Sequence, residues 1–439
     1  MATTTVGAAA DLSPSPRNEA LTRQPPAARS FGWRDHAALW FSLGVGLLVM
    51  QMGAYLVPAL GPRDAALAIA LGTAVGAGLL AWTAKLAADS GLTSAGLMHQ
   101  CFGSTFGRLP VLLNIAQLIG WTSFELVIMR DGTSAIAQQS LGWSLDTPAG
   151  RLATTALWGA LLLALLSGSM TQLVRKTIGR YALPLVLASL LWLSWQFGLR
   201  LQAQGLAAFA SRGGDGSMGL LSAMDLVIAM PVSWLPLVAD YARHGKSGRG
   251  ALGGTWGGYA LANVWCYALG VVVASLSEPG ADLVATLLLA QGGLLALSLI
   301  LVDEIDNAYG DVYSGAVCSH SLLPRWSIRG WGLALALLCT ALALVLPMHA
   351  LEPFLLMLSS VFVPLYGVIL GRLGLGAGAL QQPVQRVHGV GAGIWLLGIG
   401  LFHALGQWLP EWGATLPTLL LTGVLARLAD AWAAARSRG

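Results

Sequence analysis

The sequence predicts an all-α polytopic membrane protein with about 12 transmembrane helices. The chain has 439 residues, of which 56% are hydrophobic and only 10% are charged, whereas an ordinary soluble domain is about 25% charged. Apolar runs of about 20 residues recur along the chain, and each is long enough to cross a hydrocarbon core of about 30 Å as a helix. The runs lack the alternation over about ten residues that is typical of spanning strands.

Apolar windows bounded by glycine, proline and charge define the predicted spans. These are residues 36–60, 65–87, 109–130, 152–171, 181–199, 219–241, 251–277, 283–308, 329–348, 352–371, 389–408 and 412–433. Residues 1–35 are rich in Ala, Pro, Ser and Thr and lack the apolar core of a secretory signal. They predict a disordered cytoplasmic tail.

The distribution of Lys and Arg predicts that both termini are cytoplasmic. With the N-terminus inside, 19 of the 24 Lys and Arg residues fall on the cytoplasmic side. The other five are Arg63, Arg130, Arg151, Arg200 and Arg212. Positive loops resist translocation, so the chain is expected to be a multi-pass protein of a bacterial-type inner membrane with an even number of spans.

Several functional classes are disfavoured by the composition. The four cysteines show no C-x-x-C spacing, which argues against a zinc site or a disulfide framework. The basic residues are spread over short loops, so no nucleic-acid partner is expected. No Walker A motif is present, which leaves a secondary transporter as the leading class. A polytopic membrane enzyme is the less favoured alternative, because the seven histidines are scattered, and a non-transporting receptor or structural subunit is another.

The first and sixth spans contain residues that interrupt helices. The first span, "WFSLGVGLLVMQMGAYLVP", has three glycines and one amide, Gln51. The sixth contains Pro231 and Pro236 on either side of Ser233 and Trp234. Unwound backbone frees carbonyl groups that can bind a cation or a substrate. Close packing by small residues and ordinary proline kinks are the alternative explanations.

The two interrupted spans occupy corresponding positions in two halves of five spans each. An odd number of spans per half makes the halves inverted, and a binding site is expected at their interface. The predicted segments are therefore a first half at 36–218 with an outer loop, a second half at 219–372, and two peripheral helices with a short cytoplasmic C-terminus at 373–439.

Gln117, Trp121 and Glu125 lie about one turn apart in the third span and share a helical face. A carboxylate at this depth is costly unless it is protonated, paired or facing water, which makes Glu125 a functional candidate. An aromatic ring beside a hydrogen-bonding group suits a flat heterocycle, whose ring stacks while its amino and ring-nitrogen edge is bound. Alternatively, Glu125 pairs with Arg130 near the outer surface and Trp121 belongs to the interfacial aromatic belt.

The stretch "LVDEIDNAYGDVYS", residues 301–314, places four carboxylates at the end of the predicted eighth span. Asp303, Glu304 and Asp306 cannot all be ionised together, so a cation neutralises them or some keep a proton. Asp303, Asp306 and Asn307 form a helix face of oxygen ligands suited to Na⁺. The alternative is that these residues lie hydrated or paired at the cytoplasmic edge, and Asp311 is expected to be such a hydrated end residue.

Four motifs carry a resemblance to a known family: "DSGLTSAGLMHQCFGSTFG" after the second span, "GWTSFE" in the third, "ADYAR" in the sixth and "DNAYGDVYS" in the eighth. Over about residues 36–430 the chain resembles the nucleobase:cation symporter family 1, most closely its CytX-like branch of hydroxymethylpyrimidine transporters akin to cytosine permease. The resemblance implies a LeuT-like fold, an inverted 5+5 repeat plus two peripheral helices. It also implies inward transport of a planar nitrogen heterocycle with Na⁺ or H⁺.

The resemblance further implies that Trp121 stacks on the ring and that Glu125 hydrogen bonds to it. The family's second stacking position is occupied here by Pro231, which leaves Trp234 as the candidate second wall. The candidate substrate-binding residues are Gln51, Gln117, Trp121, Glu125, Ser233, Trp234 and Asp306. The candidate cation site comprises Gly44, Leu48, Asp303, Glu304 and Asn307, with Na⁺ as the candidate metal.

The expected partners are a pyrimidine-like substrate, a coupling cation and the lipid bilayer. No cofactor other than the coupling ion is expected, and the chain is expected to be a monomer. Within the same fold, a permease for a purine, a hydantoin or another nucleobase with H⁺ coupling is the alternative.

Overall fold

The computed structural model describes residues 18–170, 181, 183–278, 283–288, 290–346, 351–375 and 379–436. The first 17 residues of the predicted tail, and residues 171, 182, 289, 347 and 348 of the predicted spans, lie outside this part of the chain. Its α-helices are α1 Trp33–Ser42, α2 Leu47–Tyr55, α3 Pro62–Ser90, α4 Ser94–Phe102, α5 Arg108–Leu141, α6 Pro148–Leu166, α7 Leu183–Gln204, α8 Leu206–Ala210, α9 Leu220–Ser233, α10 Leu235–Ala242, α11 Gly248–Ser275, α12 Leu283–Leu288, α13 Gly293–Leu322, α14 Ile328–Ala343, α15 Leu351–Ile369, α16 Gly389–Trp408 and α17 Thr415–Arg436.

The predicted all-α membrane fold is confirmed. In the described residues, nine helices are long and apolar enough to cross a membrane, and α1 with α2 forms a tenth, bent span. The predicted eighth and ninth spans correspond to α13, which carries the acidic stretch, and to the shorter apolar helix α14. Each predicted span therefore overlaps a helix.

The predicted limits of the eighth span are wrong. Residues 283–308 do not form one helix, because α12 ends at Leu288 and α13 runs from Gly293 to Leu322. The acidic stretch consequently lies in the middle of α13 and not at its end. The alternative that Asp303, Glu304 and Asp306 lie hydrated at the cytoplasmic edge is wrong, because helix packing buries these residues inside the protein.

The segment before α1 also differs from the prediction. Residues 18–32 are packed against the body of the protein and are not disordered. The Asn18 side-chain amide donates to the carbonyl oxygen of Ser321 at 2.9 Å. The Thr93 hydroxyl donates to the Ala20 carbonyl oxygen at 2.6 Å. Hydrogen bonds between side chains and backbone carbonyl groups order this segment, whose polar composition alone predicts disorder.

The helices pack as an inverted repeat requires. The first span packs against the seventh through α1 and α11, and the sixth packs against the second through α9 and α3. The first span of each half thus packs against the second span of the other half, as expected for two inverted repeats. The third and eighth spans also pack extensively against each other, through α5 and α13. Helices α16 and α17 pack on α15 and on each other, outside the ten-span core. The exact segment boundaries at 36, 219 and 373 stay predictions.

Glycine brings the backbones of α1 and α11 into direct contact. A Cβ atom at Gly258 would lie 2.3 Å from the carbonyl oxygen of Ala37. The neighbouring Gly257 faces outward, and a Cβ there meets nothing within 4 Å. Small residues of this kind allow helices in a membrane to approach closely enough for extensive van der Waals contact.

These adjacent glycines predict opposite effects of the same substitution. Gly258→Ala forces α1 away from α11 and is expected to lower the free energy of unfolding by about 1–3 kcal/mol. Gly257→Ala is the matched control, expected to be neutral or to stabilise by about 0.5–1 kcal/mol through the lower entropy of the unfolded chain. The apparent melting temperature in detergent measures both, and equal shifts for the two variants would contradict this packing.

Candidate functional site

The first span is interrupted between Ser42 and Leu47, where α1 gives way to α2 with a bend of 63°. Gly46 has an extended backbone, and a Cβ on it would lie 3.2 Å from Glu304 Oε1. The absence of a side chain therefore lets the Glu304 carboxyl approach the unwound backbone. Gly46 is one of the three glycines of the first span in the sequence, but it was not among the predicted site residues.

The sixth span is interrupted at Trp234, between α9 and α10. Two amides of α5 bind carbonyl oxygens at this break: Asn114 Nδ2 donates to Pro236 O at 2.7 Å, and Gln117 Nε2 donates to Ser233 O at 3.4 Å. Irregular backbone inside a membrane protein is stable only when its polar groups find such partners. The structure thus gives Gln117 a supporting role at the break.

A narrow cavity lies between the two breaks. Its lining residues are Leu43, Gly46, Leu48, Val49, Trp121, Glu125, Met230, Ser233, Trp234, Glu304, Asn307 and Asp311. The lining includes three carboxyl groups, and none of the described residues that form it is Lys, Arg or His. The free volume is about 20 Å³, which is room for about one water molecule. A heterocyclic ring therefore requires the walls to move apart.

The carboxyl groups of Glu304 and Glu125 meet at this cavity. Glu304 Oε1 accepts a hydrogen bond from the Leu47 backbone N–H at 2.5 Å, and Oε2 accepts one from Asn307 Nδ2 at 3.0 Å. The Glu125 carboxyl is in hydrogen-bonding contact with that of Glu304. Such a contact requires one proton between the two groups. Glu304 already accepts two donors and faces the first turn of α2, which favours a negative charge, so we assign the proton to Glu125.

A second acidic pair lies on another face of α13. The Ser42 hydroxyl at the end of α1 donates to Asp303 Oδ1 at 2.9 Å and lies 3.4 Å from Asp306 Oδ2. All three side chains are buried, and Asp303 Oδ2 has no hydrogen-bond partner among the described residues. Neither Asp303 nor Asp306 lines the cavity. Hydroxyl and carboxylate oxygens are the donor set that a hard cation prefers.

Two tryptophans line the cavity, one on a continuous helix and the other at a helix break. Trp121 stands on the continuous helix α5, and the Phe354 ring of α15 packs edge-on against it at 5.2 Å between centroids. Trp234 stands at the break of the sixth span and packs edge-on against Trp40 at 6.0 Å. The indole N–H of Trp121 has no hydrogen-bond partner among the described residues. The interfacial-belt alternative for Trp121 is therefore wrong, because the side chain is buried at the cavity.

Two further expectations are corrected. Asp311 is not a hydrated end residue: its side chain is 2% exposed, lies in the middle of α13 and lines the cavity. Arg130 does not pair with Glu125, because its guanidinium binds Asp131 at 2.7 Å and the Ala343 carbonyl at 2.8 Å.

The structure brings seven of the predicted site residues to the cavity lining: Leu48, Trp121, Glu125, Ser233, Trp234, Glu304 and Asn307. The other five lie outside the lining: Gln51, Gln117, Asp306, Gly44 and Asp303. A Cβ on Gly44 would collide with Ala262 of α11, so close packing explains this glycine. Sequence reasoning missed Ser42, Gly46 and Asp311. The spacing of 304, 307 and 311 on one helical face is the signal that could have found Asp311.

The "ADYAR" motif fastens the broken sixth span to its neighbours. Asp240 Oδ1 accepts a hydrogen bond from the backbone N–H of Ser94 at 3.0 Å, and Oδ2 accepts one from the hydroxyl of Ser314. These contacts join α10 to α4 and α13. The motif therefore supports the site without lining the cavity.

A larger crevice of about 450 Å³ lies between α9, α15 and α16. Its walls are mainly apolar, and none of the predicted site residues lines it. Asp225 in this crevice is already bonded to the backbone N–H groups of Ala414 and Thr415. The smaller cavity at the two helix breaks is the better candidate.

Fold and site together define a multi-pass membrane transporter of the inverted-repeat type with broken first and sixth spans. Residues 24–376 match the family model described as "Permease for cytosine/purines, uracil, thiamine, allantoin". The chain belongs to this permease family, which sets aside the membrane-enzyme alternative.

Solved structures of transporters share the fold. The nucleobase-cation-symport-1 family transporter Mhp1, closed with bromovinylhydantoin bound, is 16% identical, covers 95% of this chain and 96% of its own, and has a TM-score of 0.78. A Na⁺-coupled sialic acid symporter, 10% identical over 92% of this chain and 89% of its own, has a TM-score of 0.62. MhsT in complex with L-phenylalanine, 15% identical over 89% and 98%, has a TM-score of 0.60. The predicted LeuT-like fold is thereby confirmed. No curated protein matches the chain in sequence.

The assignment of the shared proton predicts an asymmetry between two conservative variants. Glu304→Gln keeps one acceptor oxygen for two donors, Leu47 N–H and Asn307 Nδ2, and is expected to lower the free energy of unfolding by about 1–3 kcal/mol. Glu125→Gln retains a donor toward Glu304 and is expected to cost less than about 0.5 kcal/mol. Thermal unfolding of both purified variants measures the difference. A larger loss for Glu125→Gln would place the proton on Glu304.

Proposed function

We propose that this permease imports a planar nitrogen heterocycle, a hydroxymethylpyrimidine-type thiamine precursor or a cytosine-like nucleobase, by cation symport with alternating access. It acts in a bacterial-type inner membrane, with both termini in the cytoplasm. The observation that carries the proposal is the cavity between the two helix breaks, which combines two indole rings with buried carboxyl groups.

The chemistry of the lining supports a flat, nitrogen-containing ligand. An aromatic ring stacks on the face of an indole, while polar groups at the edge of the ring bind the carboxyl and amide groups of the cavity. The narrow free volume supports a transport cycle in which the walls separate to admit the ligand. Mhp1, which shares the fold, has both a closed and an inward-facing structure.

The coupling cation has two candidate places. The Ser42, Asp303 and Asp306 oxygens form a buried set suited to Na⁺ between α1 and α13. The Glu125 and Glu304 carboxyls, which share a proton across the cavity, suit H⁺ coupling. In both cases the ion would hold the broken first span against α13, so ion and substrate would raise each other's affinity equally.

Stacking on Trp121 predicts a loss of ligand affinity on truncation. Trp121→Ala is expected to weaken binding of radiolabelled cytosine or hydroxymethylpyrimidine about five- to 150-fold, the range for loss of one base–aromatic stack. Counterflow of the same label should fall in parallel. Trp256→Ala, which removes a side chain 48% exposed on α11, is the control. Full affinity in the Trp121 variant would remove this residue from the site.

Ion coupling is tested in proteoliposomes with separate Na⁺ and pH gradients. If Na⁺ is the coupling ion, its gradient alone drives uptake, and Asp303→Asn is expected to reduce that uptake at least about tenfold because a charged ligand is lost. If H⁺ is the ion, the pH gradient alone suffices and Glu125→Gln removes the response. Asp64→Asn, at the exposed start of α3, is the control. Uptake that responds to neither gradient would contradict symport.

A further inference from the structure

The unsatisfied polar atoms of the cavity are mostly acceptors. The Ser233 hydroxyl donates to the Met230 carbonyl at 2.7 Å, and Asn307 Nδ2 donates to Glu304, so neither donor is free. Among the described residues, Asn307 Oδ1 and Glu125 Oε2 have no partner, and the Asp311 carboxyl also lines the cavity. The indole N–H of Trp121 is the unpartnered donor. A ligand that satisfies this lining must itself bring N–H groups.

The cavity also brings together three buried carboxyl groups, those of Glu125, Glu304 and Asp311. One proton shared between Glu125 and Glu304 leaves that pair with a net charge of about −1, since two adjacent carboxylates cannot both ionise. Asp311 adds a third carboxyl, and the part of the lining that the structure describes contains no basic residue. On its other side, Asp311 borders a mainly apolar crevice between α5, α13 and α14. The Thr122 hydroxyl in this crevice already donates to the carbonyl oxygen of Leu118 at 2.8 Å. The cavity is therefore where a partner for Asp311 must come from.

We propose that Asp311 selects a substrate that is a heterocyclic cation, an aminopyrimidine-type ring whose N–H groups and positive charge face this carboxylate. The inference rests on the proposed function and narrows its substrate class. Charge-assisted N–H donors bind a carboxylate about twice as strongly as neutral ones. A ring that presents a carbonyl oxygen to Asp311 places two hydrogen-bond acceptors next to each other. The buried carboxylate then has no donor, which is strongly unfavourable.

A protonated Asp311 would reverse this preference. It would donate a hydrogen bond to a ring carbonyl, and a neutral dioxo or oxo heterocycle would then be the better ligand. The two states of Asp311 thus predict opposite orders of affinity for rings of the same size. The order can be measured without knowing the natural substrate.

The test uses the purified full-length chain and two probes of nearly equal shape, 4-aminopyrimidine and 4-pyrimidinone. A third probe, 1-methyl-4-aminopyrimidinium, carries a fixed charge. We expect wild-type protein to bind the amino ring at least about tenfold more tightly than the oxo ring, the effect of one charge-assisted hydrogen bond. Asp311→Asn should reduce this ratio to about one and weaken binding of the fixed cation about tenfold. Asp311→Glu should keep the preference, and Asp64→Asn should leave all three affinities unchanged.

Preference for 4-pyrimidinone, or an unchanged ratio in Asp311→Asn, overturns the role of Asp311 and leaves the proposed transport of heterocycles standing. If the Asp311→Asn protein does not fold, the test relies on the wild-type protein, through its relative affinity for the amino and oxo rings and its binding of the fixed cation. Failure of the wild-type protein to bind that cation overturns the inference. Failure of all three rings, of cytosine and of hydroxymethylpyrimidine to bind folded wild-type protein contradicts the proposed function itself.

Discussion

The contact between the Glu304 carboxylate and the first turn of α2 is the interaction on which the rest of the site depends. An unwound segment in the middle of a membrane protein exposes N–H groups that lipid cannot satisfy, and a buried carboxylate needs donors. The hydrogen bond from the Leu47 backbone N–H to Glu304 Oε1, with 2.5 Å between N and O, satisfies both the exposed N–H group and the buried carboxylate. The positive end of the α2 dipole adds to the attraction. Gly46 makes the approach sterically feasible.

Helix α13 then divides its polar groups between two faces. Glu304, Asn307 and Asp311 line the cavity, while Asp303 and Asp306 face the end of α1 at Ser42. Both faces therefore contact the interrupted first span, one on each side of its break. A cation held on one face and a ligand held on the other would act on the same segment of backbone. This arrangement gives a physical route for coupling between two distinct sites.

Glycine, proline and residue spacing in the sequence were sufficient to predict the helices and their breaks in the first and sixth spans. They were not sufficient to predict which polar side chains face the cavity. Glycines or prolines clustered within an apolar span favour a break in the helix, so the breaks in the first and sixth spans could be predicted from the sequence. Trp121 and Glu125 were found because their spacing fixes a common face on any helix. The role of Asp311 could not be found in this way, since it depends on where α13 begins and ends. Those limits depend on packing against α5 and α14, and the four carboxyls of this stretch are buried inside the protein.

The same tertiary context explains why Gln117 and Asp306 lie outside the cavity lining. Gln117 shares a helical face with Trp121, but the nearby carbonyl of Ser233 at the proline break binds its amide.

The two walls of the cavity also differ in how they can move. Trp121 belongs to a continuous helix of 34 residues, whereas Trp234 lies at the break itself, between two short helical segments. A rotation about that break displaces Trp234 relative to Trp121 without disturbing the backbone hydrogen bonds of α5. The Asn114 and Gln117 side chains must then follow the carbonyl oxygens of Pro236 and Ser233. Widening of the cavity is therefore expected to come from the sixth span, with α5 and its carboxyl group as the fixed side.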